Sequence, residues 1–408
     1  MFGWSRILEL LLTHTDLYDV INLHLFILRI CGDLFVCRNR STGQLYISWK
    51  SFACFIAQLV CLLALVIGGH FAYKKFSEKD ATYLHQGTSV LIRISGVFAI
   101  VISISNAMGG RRIWTILECF DKFDRRMIML KAAVDHRAQK LVIMVWTVIL
   151  CLGVTVFVVM FMFAIVTNYS SPVLQFVTVL QIAIFVVVIV AMLCQMVIVV
   201  YMASCRFYHL RRFFEVNFLP LKPTASFMVS ELPTVNQFRR LTDSGLFCTV
   251  MELFHILRES MRLVHEAYSV QLLSMTVSNI PSPTLAMFGM YRSFMTSNYE
   301  MQNLIVTMFL SSIMYLMSYF MLIFLSAQIK RETLQLIKSF HHFTNLYNVE
   351  FERMVKISAG QIYDGSHTVH LGPTELNWKL AFSMMGTMIS YLVILIQFDR
   401  SGVGASSM

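Results

Sequence analysis

The sequence predicts an all-α membrane protein with seven transmembrane helices, and three observations lead to this class. Of the 408 residues, 57% are hydrophobic and only 14% are charged. The mean hydropathy is +0.66. A soluble globular domain is less apolar and carries more charge than this. Finally, the apolar residues form runs of about 20 residues, the length that a helix needs to cross a bilayer.

Seven such runs follow one another in what we expect to be a single membrane domain covering residues 1–408. We place the spans at about 51–71, 87–108, 140–166, 173–204, 264–289, 302–327 and 377–398. The segment 278–283 interrupts the fifth span, because it contains two prolines, which cannot continue the hydrogen bonds of a helix. The shorter apolar stretch 23–36 carries Arg29 and Asp33, and we interpret it as an interfacial or protein-packed helix.

The distribution of Lys and Arg predicts the orientation of the spans. With seven spans, 26 of the 33 Lys and Arg residues fall on one side of the membrane and five on the other. Since cytoplasmic segments are enriched in these residues, we expect the N-terminal segment 1–50 in the cytoplasm and the C-terminus outside. This is the reverse of a G-protein-coupled receptor. The asymmetry also accounts for the net charge of +10, so no nucleic-acid partner is needed to explain it.

Two cytoplasmic links are long and contain amphipathic helical stretches, at 242–264 and 327–346. We expect these helices to extend spans 4, 5 and 6 inward and to pack on one another or on other subunits. All nine cysteines fall in spans or cytoplasmic segments, so no extracellular disulfide is expected. Asn168-Tyr169-Ser170 is a glycosylation acceptor pattern in a predicted outer loop, close to the membrane.

The sequence offers no sign of enzymatic chemistry. The spans lack paired carboxylates, a nucleophile elbow, a phosphate-binding loop and a metal-ligand helix, and no Cys pair has the spacing of zinc ligands. We therefore expect neither a cofactor nor a metal site.

One face of the last span carries three hydroxyl-bearing residues followed by Ile394 and Gln397. The five recur at spacings of four, three, four and three residues and are Ser383, Thr387, Ser390, Ile394 and Gln397, with Tyr391 beside them. Such a face suits close helix packing, with hydroxyls bonded to backbone carbonyls, or a water-filled path. In the second case, Gln397 above Ile394 would form a polar ring over a hydrophobic constriction. A single span cannot enclose a pore, so this hypothesis requires an oligomer.

Ser390-Tyr391, five aliphatic residues and Gln397-Phe398 together resemble the span 7 signature of insect gustatory receptors: Thr-Tyr, five hydrophobic residues, then Gln-Phe. The length, the seven spans, the cytoplasmic N-terminus and the bulky link before the last helix are similar to that family over essentially the whole chain. Ser390 stands where Thr is usual and keeps the hydroxyl group.

The resemblance implies a ligand-gated, non-selective cation channel, a homo- or heterotetramer in the plasma membrane of a chemosensory neuron. Span 7 of each subunit would line the pore, and the cytoplasmic helices would form an oligomeric anchor. Ile394 would be the gate, Gln397 would flank it at the outer end, and Tyr391 would couple to the pore or line it. Sugar-sensing members resemble one another in carrying an acidic residue after the motif Tyr. Leu392 stands there, which implies a bitter or other non-sugar compound, or an odorant.

Family members also resemble one another in placing a ligand pocket in the outer half of spans 2 to 6. The candidates for it are Arg93, Phe157, Phe161, Gln181, Ser311 and Tyr315. They would give a mostly apolar pocket with a few hydrogen-bonding groups. Snorkelling explains Arg93 equally well, and interhelical hydrogen bonds explain the other polar residues.

Two alternative functions stay open. A heptahelical receptor that signals through cytoplasmic partners would need the opposite orientation. A secondary transporter usually shows internal repeats and buried ionisable residues in its spans, and the sequence shows neither.

Overall fold

Long helices dominate the computed structural model. It describes residues 17–30, 34–38, 44–77, 83–168, 172–218, 244–296, 302–344, 353, 356–360, 370–371 and 374–405. The helices are α1 (Leu17–Ile30), α2 (Trp49–Ser77), α3 (Tyr83–Met129), α4 (His136–Asn168), α5 (Pro172–Phe218), α6 (Ser244–Asn279), α7 (Pro281–Thr296), α8 (Gln302–Thr344) and α9 (Trp378–Ala405). Two antiparallel hairpins are formed by β1 (Val36–Arg38) with β2 (Leu45–Ile47) and by β3 (His370–Leu371) with β4 (Thr374–Glu375).

The seven predicted spans fall, in order, in α2, α3, α4, α5, the α6–α7 pair, α8 and α9. Within the described residues, five helical segments are long and apolar enough to cross a membrane. They are Trp49–Gly68, His136–Phe163, Ala183–Phe218, Ser312–Phe340 and Trp378–Asp399. The limits of the spans and the orientation of the termini stay predictions.

The fifth predicted span is broken where its prolines predict. α6 ends at Asn279 and α7 begins at Pro281. At the start of α7, Thr284 Oγ1 donates a hydrogen bond of 2.9 Å to the Ile280 carbonyl, one turn earlier.

Several helices are much longer than a bilayer is thick. α3 and α5 have 47 residues each, which corresponds to about 70 Å, against a hydrocarbon layer of about 30 Å. The expected helical extensions of spans 4, 5 and 6 are present in α5, α6 and α8, while their cytoplasmic location stays a prediction. The extension of α3 to Met129 was not predicted, because its many charged residues end the apolar run without ending the helix.

Beyond the predicted spans, these extensions pack around aromatic side chains. The ring of Phe214 lies 4.6 Å from those of Phe218 and Phe340, between centroids, and Phe247 packs against the same group. All four side chains are buried. This aromatic cluster joins α5, α6 and α8.

A buried ion pair ties α5 to α3. Arg206 is fully buried and donates to Asp124 through Nη2 at 2.5 Å and Nε at 3.1 Å. Its guanidinium also lies 4.5 Å from the ring centroid of Phe120. Burial raises the pKa of the Asp124 carboxyl, and the charge of Arg206 opposes that shift. His136 of α4 lies 3.6 Å from the same carboxylate, so three helices meet at this point.

The N-terminal apolar stretch is packed on protein, as one of the two interpretations expected. In α1, Leu25 and Leu28 are buried, and the helix packs mainly against α4. The expected helical limits 23–36 were wrong at the far end. α1 ends at Ile30, and strand β1 begins at Val36. The backbone carbonyl of Val36 accepts a 2.8 Å hydrogen bond from Trp114 Nε1.

Candidate functional site

Helix α9 lies at the edge of the described bundle and packs mainly against α7 and α8. The residues on its inward face recur every three or four positions. Ala381, Met384 and Met388 are buried, and Leu395 is half-buried. This regular stripe shows which side of α9 contacts the rest of the chain.

The face that the sequence singled out points the other way. At about 100° per residue, its five residues lie roughly 140° around the helix from the buried stripe. Ser383, Ser390 and Gln397 are exposed, Thr387 is half-buried, and Ile394 is 42% exposed. Because no other described helix covers this face, its residues are available to water, to lipid or to another subunit.

The hydroxyl groups on this face are bonded within the helix. Thr387 Oγ1 donates to the Ser383 carbonyl, and Ser390 Oγ donates to the Gly386 carbonyl, both at 2.9 Å. These are the backbone hydrogen bonds of the packing interpretation. The close helix partner that this interpretation also needs is absent among the described residues.

Hydrophobic side chains flank the polar face of α9 on both sides. On one side lie Phe382, Ile389 and Val393, and on the other lie Tyr391 and Phe398, all of them exposed. Tyr391 is therefore beside the face, as its position in the sequence predicts. The polar strip of α9 therefore lies between two exposed apolar strips.

The N-terminal end of α9 is held by α8. The Asn377 side-chain oxygen accepts a 3.1 Å hydrogen bond from the backbone N–H of Leu380, which caps the helix. Asn377 also donates to Glu375 at 3.3 Å, and Lys330 of α8 pairs with the same carboxylate at 2.8 Å. Sequence reasoning missed this contact, although an Asn directly before an apolar run is a cap signal.

Further contacts hold both ends of the helix. At the N-terminal end, the ring of Trp378 stacks on Phe320 of α8, with centroids 6.5 Å apart. Toward the C-terminal end, Asp399 lies 3.5 Å from Arg292 of α7 and so has a partner in its own chain. α9 is thus fixed at both ends while its polar face stays uncovered.

Three of the ligand-pocket candidates have described side chains. Phe157 and Phe161 of α4 are buried and stacked, with ring centroids 5.8 Å apart. Tyr315 of α8 packs against the same apolar cluster. α4 and α8 approach closely one turn away, where a Cβ on Gly153 would lie 2.6 Å from the end of Met314. The candidates Arg93, Gln181 and Ser311, and the glycosylation candidate Asn168, have side chains outside the described residues.

Interhelical hydrogen bonds occur beside these candidates. Ser312 and Ser282 hydroxyls lie 3.2 Å apart, and those of Tyr319 and Thr276 lie 3.0 Å apart. They join α8 to α7 and α6. Part of the polar surface of α8 is therefore used in packing, as the alternative interpretation expected, and the role of Ser312 had not been identified from the sequence.

The sequence profile of the family described as 7tm Chemosensory receptor matches residues 21–401. Among solved structures, the insect olfactory receptor OR5 from Machilis hrabei in complex with eugenol is similar, with a TM-score of 0.66 and 11% identity over 94% of this chain and 98% of that chain. A second structure of OR5 from Machilis hrabei gives a TM-score of 0.64 and 11% identity, over 93% and 100%. At this identity the likeness concerns the fold, and it confirms the all-α membrane class. No curated protein matches the chain.

Proposed function

Because the chain belongs to the 7tm chemosensory receptor family, we propose that it is a ligand-gated cation channel of the gustatory type, with α9 lining the pore. The family consists of receptors and not of enzymes. In this proposal the subunits assemble as a homo- or heterotetramer in the plasma membrane of a chemosensory neuron. The N-terminus lies in the cytoplasm and the C-terminus outside.

The exposed polar face of α9 is the observation that carries this proposal. In lipid, an amide such as that of Gln397 lacks hydrogen-bonding partners, and burying such a group in hydrocarbon is costly. Four copies of α9 around an axis would remove that cost, since the polar faces would then line water. The apolar strips on either side would contact the neighbouring copies of α9 and lipid.

Ile394 is the proposed gate. On this face it is the branched aliphatic residue, one turn inward from Gln397, and it projects from the helix rather than into the bundle. A ring of four such side chains makes a narrow apolar constriction that excludes water and ions when closed. Ser383, Thr387 and Ser390 would line the path on the inner side of this ring, with Tyr391 at the contact between subunits.

The ligand is proposed to be a small organic compound other than a sugar, bound in the outer half of the bundle. Phe157, Phe161 and Tyr315 supply aromatic surface and one hydroxyl group, which suits a compound with a ring and few polar groups. The eugenol bound to OR5 has this character. Arg93, Gln181 and Ser311 complete the proposed pocket, and Asn168 is the proposed glycosylation site.

The test is the whole-cell current, without any ligand, of cells that express the wild type, Ile394→Ala or Ile389→Ala with a C-terminal tag. Ile389 is the matched control, because it is an exposed isoleucine on another face of α9. We expect a standing cation current from Ile394→Ala only, with the tag stained on intact cells.

Other outcomes separate the alternatives. Equal currents from both isoleucine variants would remove Ile394 from the gate. A tag that is reached only after permeabilisation would overturn the orientation and favour a heptahelical receptor with cytoplasmic partners. Substrate uptake without current would favour a transporter.

A further inference from the structure

A groove on the outside of the bundle lies where α4, α5 and α8 meet, away from the proposed ligand pocket. It has a volume of about 270 Å³ and presents only apolar surface. Its walls include Leu141, Val145 and Trp146 of α4, Val197 and Tyr201 of α5, and Met321 of α8. It is smaller than the pockets of about 300–1,000 Å³ that hold typical organic ligands.

The groove opens toward the surroundings of the bundle. On its rim, Leu141, Val142 and Val145 are 44%, 45% and 47% exposed. The groove lies in α4 and α5 segments that are apolar enough to cross a membrane, so lipid would be its natural neighbour. An apolar groove open to lipid tails is filled by a tail, since leaving it empty would forfeit the contacts of its walls.

The depth of the groove follows from a contact between α4 and α5. Thr147 Oγ1 lies 3.9 Å from Cys194 Sγ, which places these residues at one level. The groove lies on the side of this level where α4 begins, at its His136 end, and where α5 continues to Phe218. That side carries the excess of Lys and Arg and is the predicted cytoplasmic side.

Two arginines lie on the groove-facing rows of these helices, at the same end. Arg137, Leu141 and Val145 follow one another at four-residue spacing along α4, and Arg137 lies about 6 Å before the groove begins. Arg212 follows Tyr201 on one row of α5, about 16 Å further on. Both side chains are exposed. Two cations below an apolar groove match a lipid with a negatively charged headgroup.

The nearby carboxylates are engaged elsewhere. Asp135 Oδ1 accepts hydrogen bonds from the backbone N–H groups of Arg137 and Ala138, at 3.0 and 3.3 Å, and so caps α4. Glu332 pairs with Arg211 at 2.5 Å. Neither carboxylate forms an ion pair with Arg137 or Arg212 among the described residues.

We propose that this groove binds an acyl chain of an anionic glycerophospholipid from the cytoplasmic leaflet, with the headgroup near Arg137 and Arg212. The proposal requires insertion in a membrane but not channel activity, so it can hold even where the proposed gate fails. It assigns the groove to lipid and leaves the outer pocket to the ligand.

The test is native mass spectrometry of the purified full chain after incubation with phosphatidylserine or phosphatidylcholine. We expect one phosphatidylserine to be retained for each chain, several-fold more than phosphatidylcholine. Val145→Trp fills the groove from its exposed rim and should abolish retention. Val148→Trp is the matched control, because Val148 is equally exposed on α4 but lies outside the groove.

Further variants keep the proposal testable. If Val145→Trp fails to fold, Val142→Trp blocks the same rim. The double variant Arg137→Gln with Arg212→Gln should still retain lipid but lose the preference for phosphatidylserine, whereas Arg111→Gln, at an exposed arginine of α3, should keep it.

Equal retention by Val145→Trp and Val148→Trp would overturn the acyl site. Equal retention of both lipids by the wild type would overturn the headgroup site, and displacement of the lipid by eugenol would reassign the groove to small organic ligands.

Discussion

Helices α5 and α9 are both apolar enough to cross a membrane, but they occupy opposite places in the fold. In their most apolar stretches, 78% of the residues of α5 are buried in the bundle, against 17% for α9. Yet α9 carries the polar strip that ends in Gln397, while α5 is apolar from Phe185 to Val200 except for one buried glutamine, Gln195. In lipid, one expects the reverse, with polar side chains turned to the bundle interior. Under the proposed function, further copies of α9 around the pore axis account for this difference.

The largest expected effect concerns α5, the buried helix of this pair, and its ion pair with α3. Arg206→Met leaves the Asp124 carboxylate buried without its arginine and with only His136 nearby, which should cost about 3–5 kcal/mol of folding stability. Thermal unfolding of the purified protein measures this. The double variant Arg206→Met with Asp124→Leu should recover most of the loss, because no unpaired charge remains. A double variant as unstable as the single one would show that the pair matters through its shape rather than its charge.

Adding one methyl group at a glycine tests the same comparison, at Gly96, which packs against α5, and at Gly386 of α9. A Cβ on Gly96 of α3 would lie 2.7 Å from both Phe185 of α5 and Val66 of α2, so Gly96→Ala should destabilise by about 1–3 kcal/mol. Gly386 of α9 has nothing within 4 Å, and Gly386→Ala should be neutral or stabilise the helix by up to about 1 kcal/mol. Unfolding midpoints of the two variants test this directly. Equal destabilisation would mean that α9 is covered within a single chain.

A change on the polar face should affect conduction and not stability. Gln397→Leu is expected to shift the free energy of unfolding of the monomer by less than about 0.5 kcal/mol, as at other exposed positions. If the face lines water, the same change should alter single-channel conductance or ion selectivity. Phe398→Leu, next to it on an apolar strip, is the control and should alter neither. Unchanged conductance in Gln397→Leu would place this residue against lipid or protein.

The smallest effect concerns the surface of α6. A hydrogen bond from Arg262 lowers the pKa of Glu259 below its ordinary value of 4.5. A lowered carboxyl pKa adds stability above the ordinary pKa, and this stability is lost as the pH falls through the lowered value. Since both side chains are largely exposed, Glu259→Gln should lower the unfolding midpoint only slightly at pH 7 and not at all below the pKa of Glu259. A large effect at pH 7 would show that this surface is buried in an assembly.

The sequence predicts what depends on local spacing. The apolar runs, the break before Pro281 and the shared face of Ser383, Thr387 and Ser390 all follow from positions that are close in the chain, and the structure contains each of them. The functional roles of that face stay predictions, as do those of the pocket residues. The comparison with known proteins confirms the chemoreceptor family, while the gustatory type and the tetramer stay proposals.

The sequence does not predict contacts that depend on how helices pack. Lys330 and Glu375 are 45 residues apart, and Arg292 and Asp399 are on helices separated by α8, so no spacing rule connects them. The extension of α3 beyond its predicted span was missed for a related reason. Outside lipid, a helix needs only one apolar stripe, and its charged residues conceal that stripe in a hydropathy average.

Helix α8 is continuous from Gln302 to Thr344, and this continuity allows a displacement at one point of the helix to reach its other end. It carries Tyr315 of the proposed pocket and, about 22 Å further along its axis, Lys330, which holds the start of α9 through Glu375. A rigid rod transmits a tilt along its whole length without intermediate steps. A ligand that shifts α8 by a fraction of an ångström at Tyr315 therefore also moves the base of α9.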